Sequence, residues 1–169
     1  MSQNRDARMR LGVFHKSDKV WNYNDYRDRY TMMKKSAYGD AKFEVDHIVE
    51  CQLGDHIHTH THTHITTRNR MKPLQKLWND VDNLNVTTRG INQPKGDAFE
   101  RWIRKRDDNL RDALLYYNLG ANIRAKVCVA FEESSTSMQR ELDEIMQSTG
   151  LDLYGDVACA LDDWANKTG

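Results

Sequence analysis

Cysteine is scarce: Cys51, Cys128 and Cys159 are the only three in 169 residues, and no two form a C-x-x-C pair. So few thiols, so widely spaced, build neither a disulfide framework nor a zinc ribbon, and they point to a reducing compartment. Long apolar runs are missing as well. None approaches the ~20 residues that a membrane-spanning helix requires, and the polar, charged first residues do not make a secretory signal. A soluble intracellular protein of cytoplasm or nucleus, with no membrane partner, is the expectation, and the sequons at Asn85 and Asn166 would then be idle. Proline occurs only at Pro73 and Pro94, and each reads as the opening residue of a helix. Net charge is absent too, with 25 Lys and Arg against 25 Asp and Glu. Taken as an average, that balance argues against a nucleic-acid partner.

The average hides a division. Residues 1–106 carry 20 Lys/Arg and 13 Asp/Glu, whereas 107–169 carry 5 and 12, so +7 is followed by −7. A basic front and an acidic tail suit backbone binding by the first part and a protein partner or homodimer through the second. The length supports one domain with a real hydrophobic core. Three segments are expected: a basic, partly helical stretch over 1–41, a core over 42–106 and an acidic helical stretch over 107–169.

In chain order, residues 1–10 read as a weakly ordered arm. Tyr23, Tyr26, Tyr30 and Met33 have helix-like spacing, which predicts a helix from Tyr23 to Lys35 with its aromatics packed in the core. Phe43–Glu50 alternates apolar and polar residues as a half-buried strand does, and it delivers Asp46 and His47 to its exit. His56 to His64 alternates His with Thr or Ile, a pattern that an in-frame CA-dinucleotide run encodes. It reads as a flexible or hairpin-forming insertion; if extended, its histidines would line one face at ~6.5–7 Å intervals and could take zinc, copper or nickel. Pro73 opens a short helix through Asn79, and Leu84–Thr88 is a β-branched strand. Next comes a helix that starts at Pro94, with Asn92 or Gln93 as its cap and Phe99, Trp102 and Ile103 on one face. Asp107-Asp108-Asn109 restarts a helix that Gly120 ends. Ala121–Phe131 is helix or buried strand, Thr136–Gln147 is a helix stopped by Gly150, and Leu153–Ala165 is another.

Asp46-His47, then Asn83-Leu84, then Asn92 nine residues past Asn83 and Lys95-Gly96 after it, resemble the motif of the HNH endonucleases, in the variant ending in Asn. The resemblance covers about a third of the chain. It implies an α+β fold: a small ββα-metal core flanked by mainly helical N- and C-terminal segments. Thr88 and Ile91 stand where many members place cysteines for a structural zinc, so none is expected. Glu50 replaces a common Pro, and the gap from His47 to Asn83 is longer than usual.

The resemblance also implies roles. His47 would be the general base, suited by an unperturbed pKa near ~6.5, and Asn83, grouped with it in the site, would brace the loop between the strands. Asp46 and Asn92 would hold one divalent cation, and these oxygen donors favour Mg2+ or Mn2+ over zinc. The implied reaction is hydrolysis of DNA, double-stranded more readily than single and with RNA not separated from it, leaving 5′-phosphate and 3′-hydroxyl ends. Lys95, placed near a helix N-terminus, and Arg89 are the expected phosphate contacts, with Arg70 and Lys72 as further nucleic-acid-binding candidates. A rival reading, from another class, is a non-catalytic nucleic-acid- or metal-binding interaction protein on the same core.

Overall fold

The structure is a computed structural model that describes Met9 and residues 17–61 and 68–169. It is a mixed α+β fold. Among the described residues, two antiparallel strands, β1 (Phe43–His47) and β2 (Leu84–Thr88), lie among seven α-helices: α1 (Ser17–Tyr23), α2 (Cys51–Thr61), α3 (Arg68–Trp78), α4 (Arg89–Ile103), α5 (Leu110–Tyr116), α6 (Ala121–Thr149) and α7 (Asp152–Ala165). None of these helices is long and apolar enough to cross a membrane.

β2 coincides with the expected strand, and β1 ends at His47, three residues short of the expected Glu50; their register pairs Val45 with Val86, Asp46 with Asn85 and His47 with Leu84. Successive strand side chains point to opposite faces. Phe43, Val45, Leu84 and Val86 accordingly share a small core with Val20 and Trp21 of α1. The other face is polar yet closed. Asp28, fully buried, accepts bonds from the Tyr30 amide, Asn85 Nδ2, Thr87 Oγ1 and Tyr38 Oη. Four donors fill the lone pairs of a carboxylate, which is what allows it to be buried.

The larger core joins all three segments expected from the sequence: Met9, Tyr30, Leu53, Trp78, Phe99, Phe131 and Leu161 belong to one cluster. Trp102 of α4 meets Phe131 of α6 and Trp164 of α7 at 5.6 and 4.7 Å between ring centroids. The basic-to-acidic switch near residue 106 therefore divides charge without dividing the core.

Several helix expectations need correction. The helix expected over Tyr23–Lys35 does not form: α1 lies before it and ends at Tyr23, where the expected helix was to begin, because Asp25 and Tyr26 take positive φ, 53° and 58°, and turn the chain. Tyr30 is then buried as expected, but Tyr23 and Tyr26 are about half exposed. Neither proline opens its helix. Pro73 lies inside α3 and Pro94 inside α4, each the sixth residue. For Pro94 the amide that cannot be donated faces the carbonyl of Gly90, an exposed residue that water can reach. The His/Thr tract is helical as far as Thr61, not extended, and belongs to α2, where Leu53, Gly54 and Ile57 face the core. His62 and His64 lie outside the described residues. Gly54 is where α2 meets α3: a Cβ there would come within 2.6 Å of the Trp78 ring. Further on, Asn109 caps α5. Ala121–Phe131 and Thr136–Gln147 form one continuous helix, α6, which Gly150 ends at φ 68°.

Candidate functional site

A cleft of about 490 Å3 opens where β1 ends, α2 begins and α4 starts. Glu44, Asp46 and His47 reach it from β1, Glu50 and Asp55 from the loop and helix that follow, and Arg89, Asn92 and Asp97 from α4. Three of the sequence candidates, Asp46, His47 and Asn92, are therefore brought together although 46 residues separate the first from the last. β1 pairs antiparallel with β2, which leads directly into α4, so α4 starts beside Glu44 and runs back along β1 toward Glu50; Gln52 Nε2 donates to the Gly96 carbonyl at 2.8 Å and ties α2 to α4.

Asn83 sits beneath the cleft and does not line it. It is 1% exposed. Its Oδ1 accepts from the Val49 amide at 2.7 Å, and its Nδ2 donates to the Val49 and Trp78 carbonyls at 3.1 and 2.9 Å. Ser134 of α6 donates to the same Oδ1 at 3.0 Å. Asn83 thus clamps the backbone just after His47, so its part is bracing, not contact with a reacting atom.

His47 is held by a residue that the sequence did not single out. Its Nε2 lies 2.9 Å from Asn79 Oδ1. Asn79 spends its own NH2 on the carbonyls of Gln75 and Met9, at 2.7 and 2.8 Å, so its oxygen is the acceptor and the proton is on Nε2 of His47. In the neutral ring that puts the basic lone pair on Nδ1. Nothing in the sequence marks Asn79, which falls in the long gap between the motif halves.

Lys95 overturns one expectation. It was to contact phosphate from a helix N-terminus, yet it is the seventh residue of α4 and fully buried. Its ammonium touches Asp46 at 2.9 and 3.2 Å, Glu50 at 2.7 Å and the His47 carbonyl at 2.7 Å, over the Phe99 ring at 4.9 Å. With its three protons so engaged, it cannot reach a ligand in the cleft. Tyr30 Oη adds a 2.5 Å bond to Asp46 Oδ2.

The electrostatics follow from one ammonium facing two carboxylates. Burial pushes the Asp46 carboxyl up to about 7; Lys95 opposes the rise and Glu50 adds to it. Burial by itself would lower Lys95, but Asp46 and Glu50 hold it above its ordinary value. Tyr30, raised well above its ordinary range by burial and by Asp46, stays a donor.

No protein-family model, curated protein or solved structure matches the chain.

The remaining candidates divide. Arg89 is exposed on the rim of the cleft, with its Nε 3.4 Å from Gln93 Oε1. Arg70 and Lys72 are elsewhere, on α3. The Arg70 carbonyl accepts from Tyr154, while Lys72 lines a separate groove with Lys76, Glu141 and Glu144. Asn92 donates through Nδ2 to Glu44 Oε2 at 2.8 Å, which leaves its Oδ1 as the atom able to accept or coordinate. Glu44, two residues before Asp46, was missed in the sequence; its strand alternation with Asp46 was the available signal. Among the described residues, no three or more His, Cys, Asp or Glu side chains are grouped to hold a metal ion. What the cleft offers is a positioned imidazole beside hard oxygen donors. Among the described residues, five carboxylates line it against one guanidinium, so an anionic ligand would be repelled by these unless a cation enters with it.

Proposed function

We propose that this cleft is the active site of a metal-dependent endonuclease of the HNH type, acting on DNA. The observation that carries the reading is the convergence of Asp46, His47 and Asn92 on one cleft, with Asn83 clamping the Val49 backbone behind them. β1, β2 and α4 come in that order, with α2 and α3 inserted between the strands, and this order supports the reading of a ββα-metal core. The acidic lining supports metal dependence, since a phosphodiester could approach such a surface only with a cation.

The donor set fits a hard ion. Asp46 supplies a carboxylate and Asn92 an amide oxygen, with water and phosphate to complete the shell, as Mg2+ or Mn2+ would require. Asp46 has only the lone pairs that Lys95 and Tyr30 leave to it, and Glu44 is near enough to Asn92 to take part. When bound, the ion would supply Lewis-acid stabilisation of the charge that develops on the phosphate. The protein's own share is the proton: His47, its ring fixed by Asn79 through Nε2, takes it from the attacking water. Arg89 at the rim holds the backbone on the approach side.

Metal titration of plasmid cleavage tests the ligand assignment. Asn92→Ala leaves the carboxylate in place, and raised Mg2+ should restore part of its rate; Asp46→Ala should recover less. Full rescue of His47→Ala by metal, with none for Asn92→Ala, would mean that the roles are reversed.

A further inference from the structure

The histidine tract is not used by the nuclease reading, and its helical conformation changes what it can do. In an extended chain every second side chain shares a face. In a helix His56 and His60 are one turn apart and stack, whereas His58 turns inward and is buried. The rings of His56 and His60 are 4.0 Å apart between centroids. His60 Nδ1 donates to the His56 carbonyl at 2.8 Å. That bond fixes the tautomer and leaves Nε2 of His60 as the ligating nitrogen, the outer-shell arrangement that metal-binding histidines use. His56 is steadied from the other side by the edge of Trp164, 5.8 Å away between centroids.

We propose that His56 and His60 form a two-histidine chelate for a borderline transition-metal ion, Zn2+ or Cu2+, on the outer face of α2. The pair forms a ridge between two clefts. Asp55 and Glu100 line one, of about 450 Å3, and Asp163 lines the other; Glu100 already pairs with Arg104, and no third His, Cys, Asp or Glu among the described residues is grouped with the two imidazoles, so water would complete the shell. Burial, then His60 and Lys105, hold His56 below the ordinary imidazole value. Arg104 and Lys105 in the same clefts oppose cation binding. Imidazole donors rank Cu2+ above Zn2+ and leave Mg2+ essentially unbound. This site is separate from Asp46 and Asn92 and stands whether or not the cleft is a nuclease.

Equilibrium titration of the full chain with ZnCl2 and with CuSO4 at pH 7.5, with thermal melting in parallel, decides the matter. One ion per chain should bind, Cu2+ more tightly than Zn2+, and each should raise the melting temperature. His60→Gln, at an exposed position, should weaken both by at least tenfold, as should His56→Gln. His62→Gln with His64→Gln, and separately Asn92→Ala, should leave the affinity within twofold. Unchanged affinity in His60→Gln overturns the proposal, and so does loss of binding in the His62/His64 variant alone. Failure of the wild-type chain to bind at 0.1 mM metal overturns it as well.

Discussion

Replacing Lys95 by Met removes the one ammonium beneath the cleft and keeps most of its alkyl volume. Asp46, 3% exposed at its side chain, and Glu50, at 15%, then face each other with no cation between them. Removing one partner of a buried ion pair costs about 3–5 kcal/mol, because the remaining charge is stranded, and a domain's whole stability is only about 5–15 kcal/mol. The loss should depend on pH. Asp46 has a folded value of about 7 against 3.8 when unperturbed, so the folded protein binds a proton that the unfolded chain has released. A raised carboxyl of this kind stabilises fully below the unfolded value, and the contribution fades as pH rises through the folded one. In Lys95→Met the folded value rises further, so at pH 5.5 Asp46 is protonated in both proteins and only Glu50, the more exposed partner, is left without its cation. At pH 8.5 Lys95 is still charged in the wild type, and the variant must either ionise a stranded Asp46 or hold its proton against the solvent. Urea denaturation at the two pH values should show a deficit of about 3–5 kcal/mol at pH 8.5 that shrinks by at least half at pH 5.5. A deficit under 1 kcal/mol at pH 8.5, or one equal at both pH values, would refute the buried triad.

Asn83→Ala deprives the Val49 amide and carbonyl of their partners and should cost about 2–3 kcal/mol in the same assay. Gly54→Ala gains up to about 1 kcal/mol of helix propensity but drives a Cβ into Trp78, so a net loss of about 1–2 kcal/mol is expected, read as a lower urea midpoint. For DNA binding, Arg89→Ala should weaken affinity and flatten its salt dependence, whereas Lys72→Ala, in the groove away from the cleft, should do neither. Because a proton on Asp46 competes with a cation for the same carboxylate, Mn2+ affinity should rise with pH through about 7; isothermal titration at pH 6 and pH 8 measures this, and a flat profile would remove Asp46 from the ligand set.

Both strands were legible because alternation is a short-range signal and each strand has one apolar face on α1. The candidate site was partly legible: Asp46, His47 and Asn92 do converge, through a motif whose letters lie on adjacent elements. Lys95 was misplaced because α4 starts five residues before Pro94, a shift that carries residue 95 from the helix mouth into the core. Such a start is hard to see in sequence, since Thr88 makes no side-chain cap bond and the proline imitates one. The helical state of the His/Thr tract was hidden for a different reason. Its alternating letters suggest a two-residue period, while Leu53, Gly54 and Ile57, which seat α2 in the core, are spaced for a helix but too few to dominate the pattern. Asn79 and Tyr30 act on the site through contacts made over 32 and 16 residues, and no local pattern announces them.

The central claim is that His47 in this cleft activates water against a metal-bound phosphodiester. Supercoiled plasmid incubated with the purified chain in Mg2+, in Mn2+ and in EDTA, beside a folded His47→Ala variant, tests it most directly. The account predicts cleavage in either metal, none in EDTA, and a fall of about 10²–10⁴-fold in His47→Ala with DNA binding retained. Cleavage that persists in EDTA, or that His47→Ala leaves unchanged, would contradict it.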